Sequence, residues 1–120
     1  MTVPTEDQEQ EAFFEWIRYQ EHTYPGINLA FHVPNGGSRN VVEAAKFKRI
    51  GVKAGVPDII IPVAKGKYHG MYIEMKRTKN GRLSEAQADW MQALNEQGYY
   101  AVMAKGCAEA IEFVRKYWRM

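Results

Sequence analysis

Pro57-Asp58-Ile59-Ile60-Ile61-Pro62-Val63 and, after the loop Lys65-Gly66-Lys67-Tyr68-His69-Gly70, Met71-Tyr72-Ile73-Glu74-Met75-Lys76 are the two runs that decide how this chain folds. The first is short and strongly β-branched, the pattern of a buried strand. In the second, apolar residues alternate with Tyr72, Glu74 and Lys76, so a strand there puts Met71, Ile73 and Met75 on one face and the other three on the opposite face. Six glycine-rich, polar residues between two strands predict a hairpin. With its loop centred near Lys67, paired residue numbers should sum to about 134, placing Asp58 opposite or diagonal to Lys76 and Glu74.

Outward from the hairpin, the remaining elements follow from caps and periodicity. Thr5 followed by Gln8 has capping-box form, and Ala12, Phe13, Trp16 and Ile17 make an apolar stripe, so a helix begins there and is expected to run until Tyr24-Pro25-Gly26. Leu29-Ala30-Phe31-His32-Val33 reads as a short strand stopped by the turn-forming Pro34-Asn35-Gly36-Gly37. A short helix is expected over residues 41–50. Ser84 and Gln87 form a second capping box, opening a helix that ends at Gly98. Residues 99–104 read as a last strand and 107–118 as a last helix. The order is α-β-α-β-β-α-β-α, an α/β fold in a single domain covering residues 1–120, without internal repeat, linker or low-complexity tract.

Asp58, Glu74 and Lys76 together suit phosphodiester hydrolysis. Two neighbouring carboxylates can hold a hard divalent cation such as Mg²⁺, which keeps several waters and binds substrate phosphate oxygens. The cation polarises the phosphate and acidifies water, and an adjacent ammonium orients the nucleophile and stabilises developing charge. The competing reading of the same residues is a solvated strand face with Asp58 as a turn residue after Pro57. Glu9, one helical turn before Phe13, lies at the edge of the first helix's apolar face and is a candidate fourth member; a favourable charge near a helix start is the alternative. Glu6 and Glu11 are less well placed.

Charge supports an anionic partner. The chain has 120 residues, 46% hydrophobic and 25% charged, with a net charge of only +2. Its distribution is uneven: between Glu6 and Glu21 six acids oppose Arg18, whereas between Arg39 and Arg82 eleven bases oppose three acids, a surplus of eight. A polyanion is the natural partner of that middle segment. One cysteine excludes an internal disulfide, and three histidines give no zinc-finger spacing, so any metal is expected to be held by oxygen. A leader segment or a stretch able to cross a bilayer is not evident, so the expected location is cytoplasmic and no membrane partner is expected.

Gly51-Val52-Lys53-Ala54-Gly55-Val56-Pro57-Asp58-Ile59, then Tyr72-Ile73-Glu74-Met75-Lys76, then Gln87-Ala88-Asp89-Trp90, with Pro34-Asn35-Gly36-Gly37 upstream, resemble the motifs of the VRR-Nuc family across the whole chain. The resemblance implies a PD-(D/E)xK, restriction-endonuclease-like core: a mixed central sheet flanked by helices. It implies that Asp58, Glu74 and the Met75 carbonyl hold Mg²⁺, with Mn²⁺ as a substitute, and that Lys76 assists the attacking water. Glu9 would match the helical glutamate of that fold. Short stand-alone members, often from phages and so expected in the host-cell cytoplasm, imply a homodimeric endonuclease that cuts branched DNA in the manner of a Holliday-junction resolvase. No small-molecule cofactor is expected. Duplex ends, flaps or nonspecific DNA remain open as substrates, and so does a non-catalytic DNA-binding module.

Several residues carry two readings. Gln87 belongs to a capping box, yet its place in the Gln-x-x-Trp motif implies an amide bordering the active site. Trp90 reads mainly as core, sharing a helical face with Leu94. Asn35 lies in a turn whose glycines could also admit a phosphate backbone; with Arg39, Lys53 and Lys79 it makes up the candidate DNA contacts. His32 is either structural or a general acid or DNA contact. Cys107 reads as packing, and Tyr117 and Trp118 as packing on the chain's own core or as surface for a partner.

Overall fold

The computed structural model describes residues 2–34 and 41–120. Asn35, Gly36, Gly37 and Arg39 lie outside the described residues. The elements run α1 (Glu6–Ile17), a 3-10 turn (Ile27–Leu29), β1 (Phe31–His32), α2 (Val41–Arg49), β2 (Ile59–Ile61), β3 (Met71–Lys76), α3 (Glu85–Glu96), β4 (Tyr100–Lys105) and α4 (Cys107–Trp118), the order expected from sequence.

Both capping boxes form. Thr5 Oγ1 accepts from the Gln8 amide at 3.1 Å while the Thr5 amide donates to Gln8 Oε1 at 2.9 Å; Ser84 and Gln87 reciprocate at 3.1 and 2.9 Å. These bonds satisfy amides that a helix start otherwise leaves without acceptors. Helix α1 stops at Ile17, well before Tyr24-Pro25-Gly26. Its stripe would next need apolar residues at Gln20 and Glu21, and instead the Glu21 carboxylate accepts the amides of Gly26 (2.6 Å) and Asn28 (2.9 Å), holding a turn.

The four strands form one sheet in the order β1-β2-β3-β4. β1/β2 and β2/β3 are antiparallel, and β3/β4 is parallel, reached by the α3 crossover. Ile59 pairs with Ile73, Ile60 with Tyr72 and Ile61 with Met71, so paired numbers sum to 132 rather than about 134. The reversal turns about Gly66, at φ 55, closed by mutual bonds between Lys65 and Tyr68 at 3.1 and 2.9 Å. A displacement of two leaves every side chain on its expected face, and continuing the ladder one step sets Asp58 in line with Glu74.

The core lies on one face. Ile59, Ile61, Met71, Ile73 and Met75 pack there against Phe13 and Ile17 of α1 and Ala110, Val114 and Tyr117 of α4. Tyr117 Oη donates to the Val63 carbonyl at 2.6 Å and Trp118 Nε1 to that of Pro25 at 3.3 Å, so the C-terminal aromatics are spent on the chain's own fold. Helices α2 and α3 contribute no buried residue. Trp90, expected in the core, is half-buried outside it and lines a cavity of about 590 Å³ with Val33, Phe47, Ile50, Lys53 and Val56, residues of α2 and of the loops beside β1 and β2 rather than of the core.

Candidate active site

The face of β3 turned away from the core carries Tyr72, Glu74 and Lys76, and the approach to β2 brings Asp58 beside them. Glu74 is 3% exposed, the sole charged residue among the buried side chains described. Lys76 Nζ lies 4.0 Å from Glu74 Oε2. One ammonium at that distance does not offset desolvation of the carboxylate plus the charges of Asp58 and Glu6, so the Glu74 carboxyl is pushed up from 4.5 to about 8.

Asp58 is half-buried, and its Oδ1 is fully buried without a hydrogen-bond partner. Burial raises its pKa, and the Glu6 charge adds to the rise. His32, its own amide and the Met75 amide pull the other way. His32 sits across the β1/β2 pairing: its Nδ1 donates to the Asp58 carbonyl at 3.0 Å and lies 3.8 Å from Asp58 Oδ2. That carbonyl also accepts the Val33 amide at 2.7 Å. The backbone of Asp58 is therefore held by β1 while its carboxylate stays under-bonded, an arrangement that costs stability unless a cation fills it.

The oxygens present suit such a cation. The carbonyls of Gly70 and Lys76 face β4, where they accept the amides of Tyr100 (2.9 Å) and Gly106 (2.8 Å). Alternation along the strand turns the Met75 carbonyl the other way, toward the β2 side and Asp58. Two carboxylates set in line and one carbonyl make an all-oxygen donor set for a hard divalent ion, with water and phosphate completing its shell. Among the described residues no group of three or more histidine, cysteine or acidic side chains forms a metal cluster.

Not every residue singled out in the sequence joins this group. Glu9 does not: its Oε1 accepts the Cys107 amide at 3.0 Å, at the start of α4. The acid of α1 that acts on the pair is Glu6, half-buried, whose charge bears on both Asp58 and Glu74. The sequence carried the signal for it, because Glu6 stands two helical turns before Phe13 and so on the same side of α1. Gln87 uses its side-chain oxygen in the α3 capping box. Lys53 borders the Trp90 cavity, and Lys79 is exposed in the turn after β3. Burial and the Glu9 charge push the Cys107 thiol up, as expected of an inert packing cysteine.

Lys105 also falls beside this group, though no sequence feature marks it. In the parallel pairing Lys105 is the register partner of Lys76, so it shares that face one strand away, about 4.8 Å across the sheet, and it is exposed. Nothing local in the sequence places β4 beside β3 in this register.

Fold and site together define a small α/β domain with a four-stranded mixed sheet flanked by helices, of restriction-endonuclease-like architecture. The VRR-NUC domain profile matches residues 4–108, and the chain belongs to the VRR-Nuc family. A solved structure, a VRR_NUC domain protein, is 39% identical and superimposes with a TM-score of 0.85, covering 98% of this chain and 90% of its own. No curated protein matches the chain. Membership makes it a nuclease domain with DNA as substrate. No helix among the described residues is long and apolar enough to cross a membrane.

Proposed function

We propose that the chain is a metal-dependent endodeoxyribonuclease that hydrolyses phosphodiester bonds in structured DNA, with four-way junctions as the preferred substrate. The observation that carries this reading is the under-bonded, in-line carboxylate pair of Asp58 and Glu74 beside Lys76. Asp58, Glu74 and the Met75 carbonyl would hold Mg²⁺, or Mn²⁺ in its place. When bound, the ion supplies polarisation of the scissile phosphate and acidifies water.

The rest is done by the chain itself. Burial and the Asp58 charge hold the Glu74 carboxyl up at about 8, so near neutral pH it keeps its proton, and holding a cation there would require giving that proton up. Lys76, half-buried beside Glu74, orients the attacking water and stabilises charge as it develops on the phosphate. His32 and Val33 fix the Asp58 backbone so that its carboxylate keeps one position. Lys105, on the Lys76 face, together with Lys53 and Lys79 would meet phosphates flanking the one that is cut.

A second copy of the chain suits paired cuts in a symmetric junction. With Tyr117 and Trp118 packed on the core, the exposed apolar residues among those described that could meet a copy include Val41 and Val42 of α2 with Ile50 just beyond it, and Tyr19, Leu29 and Phe31. The test incubates wild type, Asp58→Asn and Lys76→Ala with labelled junction, duplex and single-stranded DNA, with and without Mg²⁺, alongside a solution mass measurement. Mg²⁺-dependent cutting of the junction by wild type alone is expected. Cutting that persists in either variant, or wild type that binds DNA and never cuts it, overturns the proposal.

A further inference from the structure

We infer that Glu9 is a positioning residue: from α1 it locks the start of α4 and, through Gly106, the end of β3 that carries Lys76. The inference rests on the nuclease reading above and concerns a carboxylate outside the acid pair.

Helix α4 has no cap of its own. Its N-cap is Gly106, at φ 91, without a side chain to accept the first amides. Glu9 supplies the acceptor from 98 residues away, taking the Cys107 amide on Oε1 at 3.0 Å. A carboxylate there also meets the positive end of the helix dipole. Its other oxygen closes on Gly106: a methyl group built on that glycine would stand 3.2 Å from Glu9 Oε2 and 2.6 Å from Thr78 Cγ2.

Gly106 is thus clamped between Glu9 and the segment that leaves β3. Its own amide donates to the Lys76 carbonyl at 2.8 Å, at the last position of β3. Strand ends fray when their last bond is weak, and Lys76 needs a fixed place because its ammonium acts at 4.0 Å from Glu74 Oε2. Glu9 also stands one turn after Glu6 on α1, so the same contact holds the helix whose Glu6 charge bears on Asp58 and Glu74. One side chain therefore ties together α1, the β4–α4 junction and the β3 terminus.

The test compares Glu9→Ala and Glu9→Gln with wild type on labelled junction DNA at saturating Mg²⁺, well below each protein's melting temperature. A misplacement of about 1 Å at a reacting group costs on the order of a hundredfold, so Glu9→Ala is expected to lower kcat roughly tenfold to a hundredfold with KM for DNA little changed. Glu9→Gln keeps an oxygen that accepts the Cys107 amide and is expected to restore most of that rate. Independently of activity, amide exchange at Gly106 and Cys107 should quicken in Glu9→Ala and return toward wild type in Glu9→Gln, while Val102 in mid-strand stays unchanged.

Full kcat in folded Glu9→Ala overturns the inference and leaves the nuclease reading standing. So does a Glu9→Gln protein as slow as Glu9→Ala that also needs more Mg²⁺, because that pattern belongs to a metal ligand. A wild type that cuts no DNA overturns both.

Discussion

Replacing Glu74 by glutamine should make the cation-free protein gain on wild type as the pH rises. The buried Glu74 carboxyl is held up from 4.5 to about 8. Between those values the folded chain keeps a proton that the unfolded chain has lost, so the Glu74 contribution to wild-type stability is full below pH 4.5 and falls as pH rises through about 8. Each pH unit in that window removes about 1.4 kcal/mol. From pH 6 to pH 9 the loss is on the order of 2–3 kcal/mol, and because Glu74 is 3% exposed, solvent screening relieves little of it. Glutamine has no proton to lose and escapes this fall. Urea unfolding in the presence of EDTA reads the difference. With a slope of about 1–3 kcal/mol/M, the gap between the two midpoints should shift in favour of Glu74→Gln by roughly 1–2 M between pH 6 and pH 9. Mg²⁺ should flatten the wild-type curve, since it binds the ionised carboxyl, and leave the Glu74→Gln curve where it was. Parallel pH profiles for the two proteins without metal would refute the argument that Glu74 is a strained acid awaiting a cation.

Other substitutions probe neighbouring links. Asp58→Asn should abolish cleavage while leaving cation-free stability equal to or above that of wild type, because it neutralises a buried, under-bonded oxygen; gel assay and thermal melting check the two halves. Lys105→Ala should weaken binding to junction and duplex alike and lower the slope of log affinity against log salt by about 1, measured by fluorescence anisotropy without divalent ions. Gly55→Ala should destabilise the fold by about 2 kcal/mol or more in urea unfolding, because Gly55 sits at φ 92 and a Cβ there would lie 2.8 Å from the Ala86 backbone.

What could be read from the sequence is what depends on neighbours along the chain. The capping pairs Thr5–Gln8 and Ser84–Gln87 act over three residues, and both helices start where those pairs put them. The face assignment of Met71, Ile73 and Met75 against Glu74 and Lys76 rests on strand alternation alone and survives even the wrong register, since an offset of two preserves faces. The misses are contacts between residues distant in sequence. Which turn of α1 faces the acid pair depends on how α1 docks against α4. Both Glu6 and Glu9 lie on the inner side, and tertiary packing sends Glu9 to the Cys107 amide and leaves Glu6 near Asp58 and Glu74. Trp90 follows the same logic, because helical periodicity shows that it faces inward but not that the neighbours it meets there are Phe47, Ile50 and Val56 rather than the core.

The division of labour between the two sheet faces explains why the site can be strained without unfolding the chain. On the core side, five side chains of β2 and β3 are wholly buried against α1 and α4, and each fully buried side chain of this kind contributes roughly 1.5–3 kcal/mol. The same two strands present Glu74, and Asp58 beside it, on the other side. A penalty of a few kcal/mol for an ionised Glu74 is therefore opposed by apolar packing on the reverse of the very residues that hold it. Backbone position is set by Ile73 and Met75, and the carboxylate between them has no freedom to move away from Asp58. A site assembled on loops would relax by separating its like charges. This one cannot: below about pH 8 it relieves the repulsion by keeping the Glu74 proton, and a divalent cation would be the means by which both carboxylates ionise together.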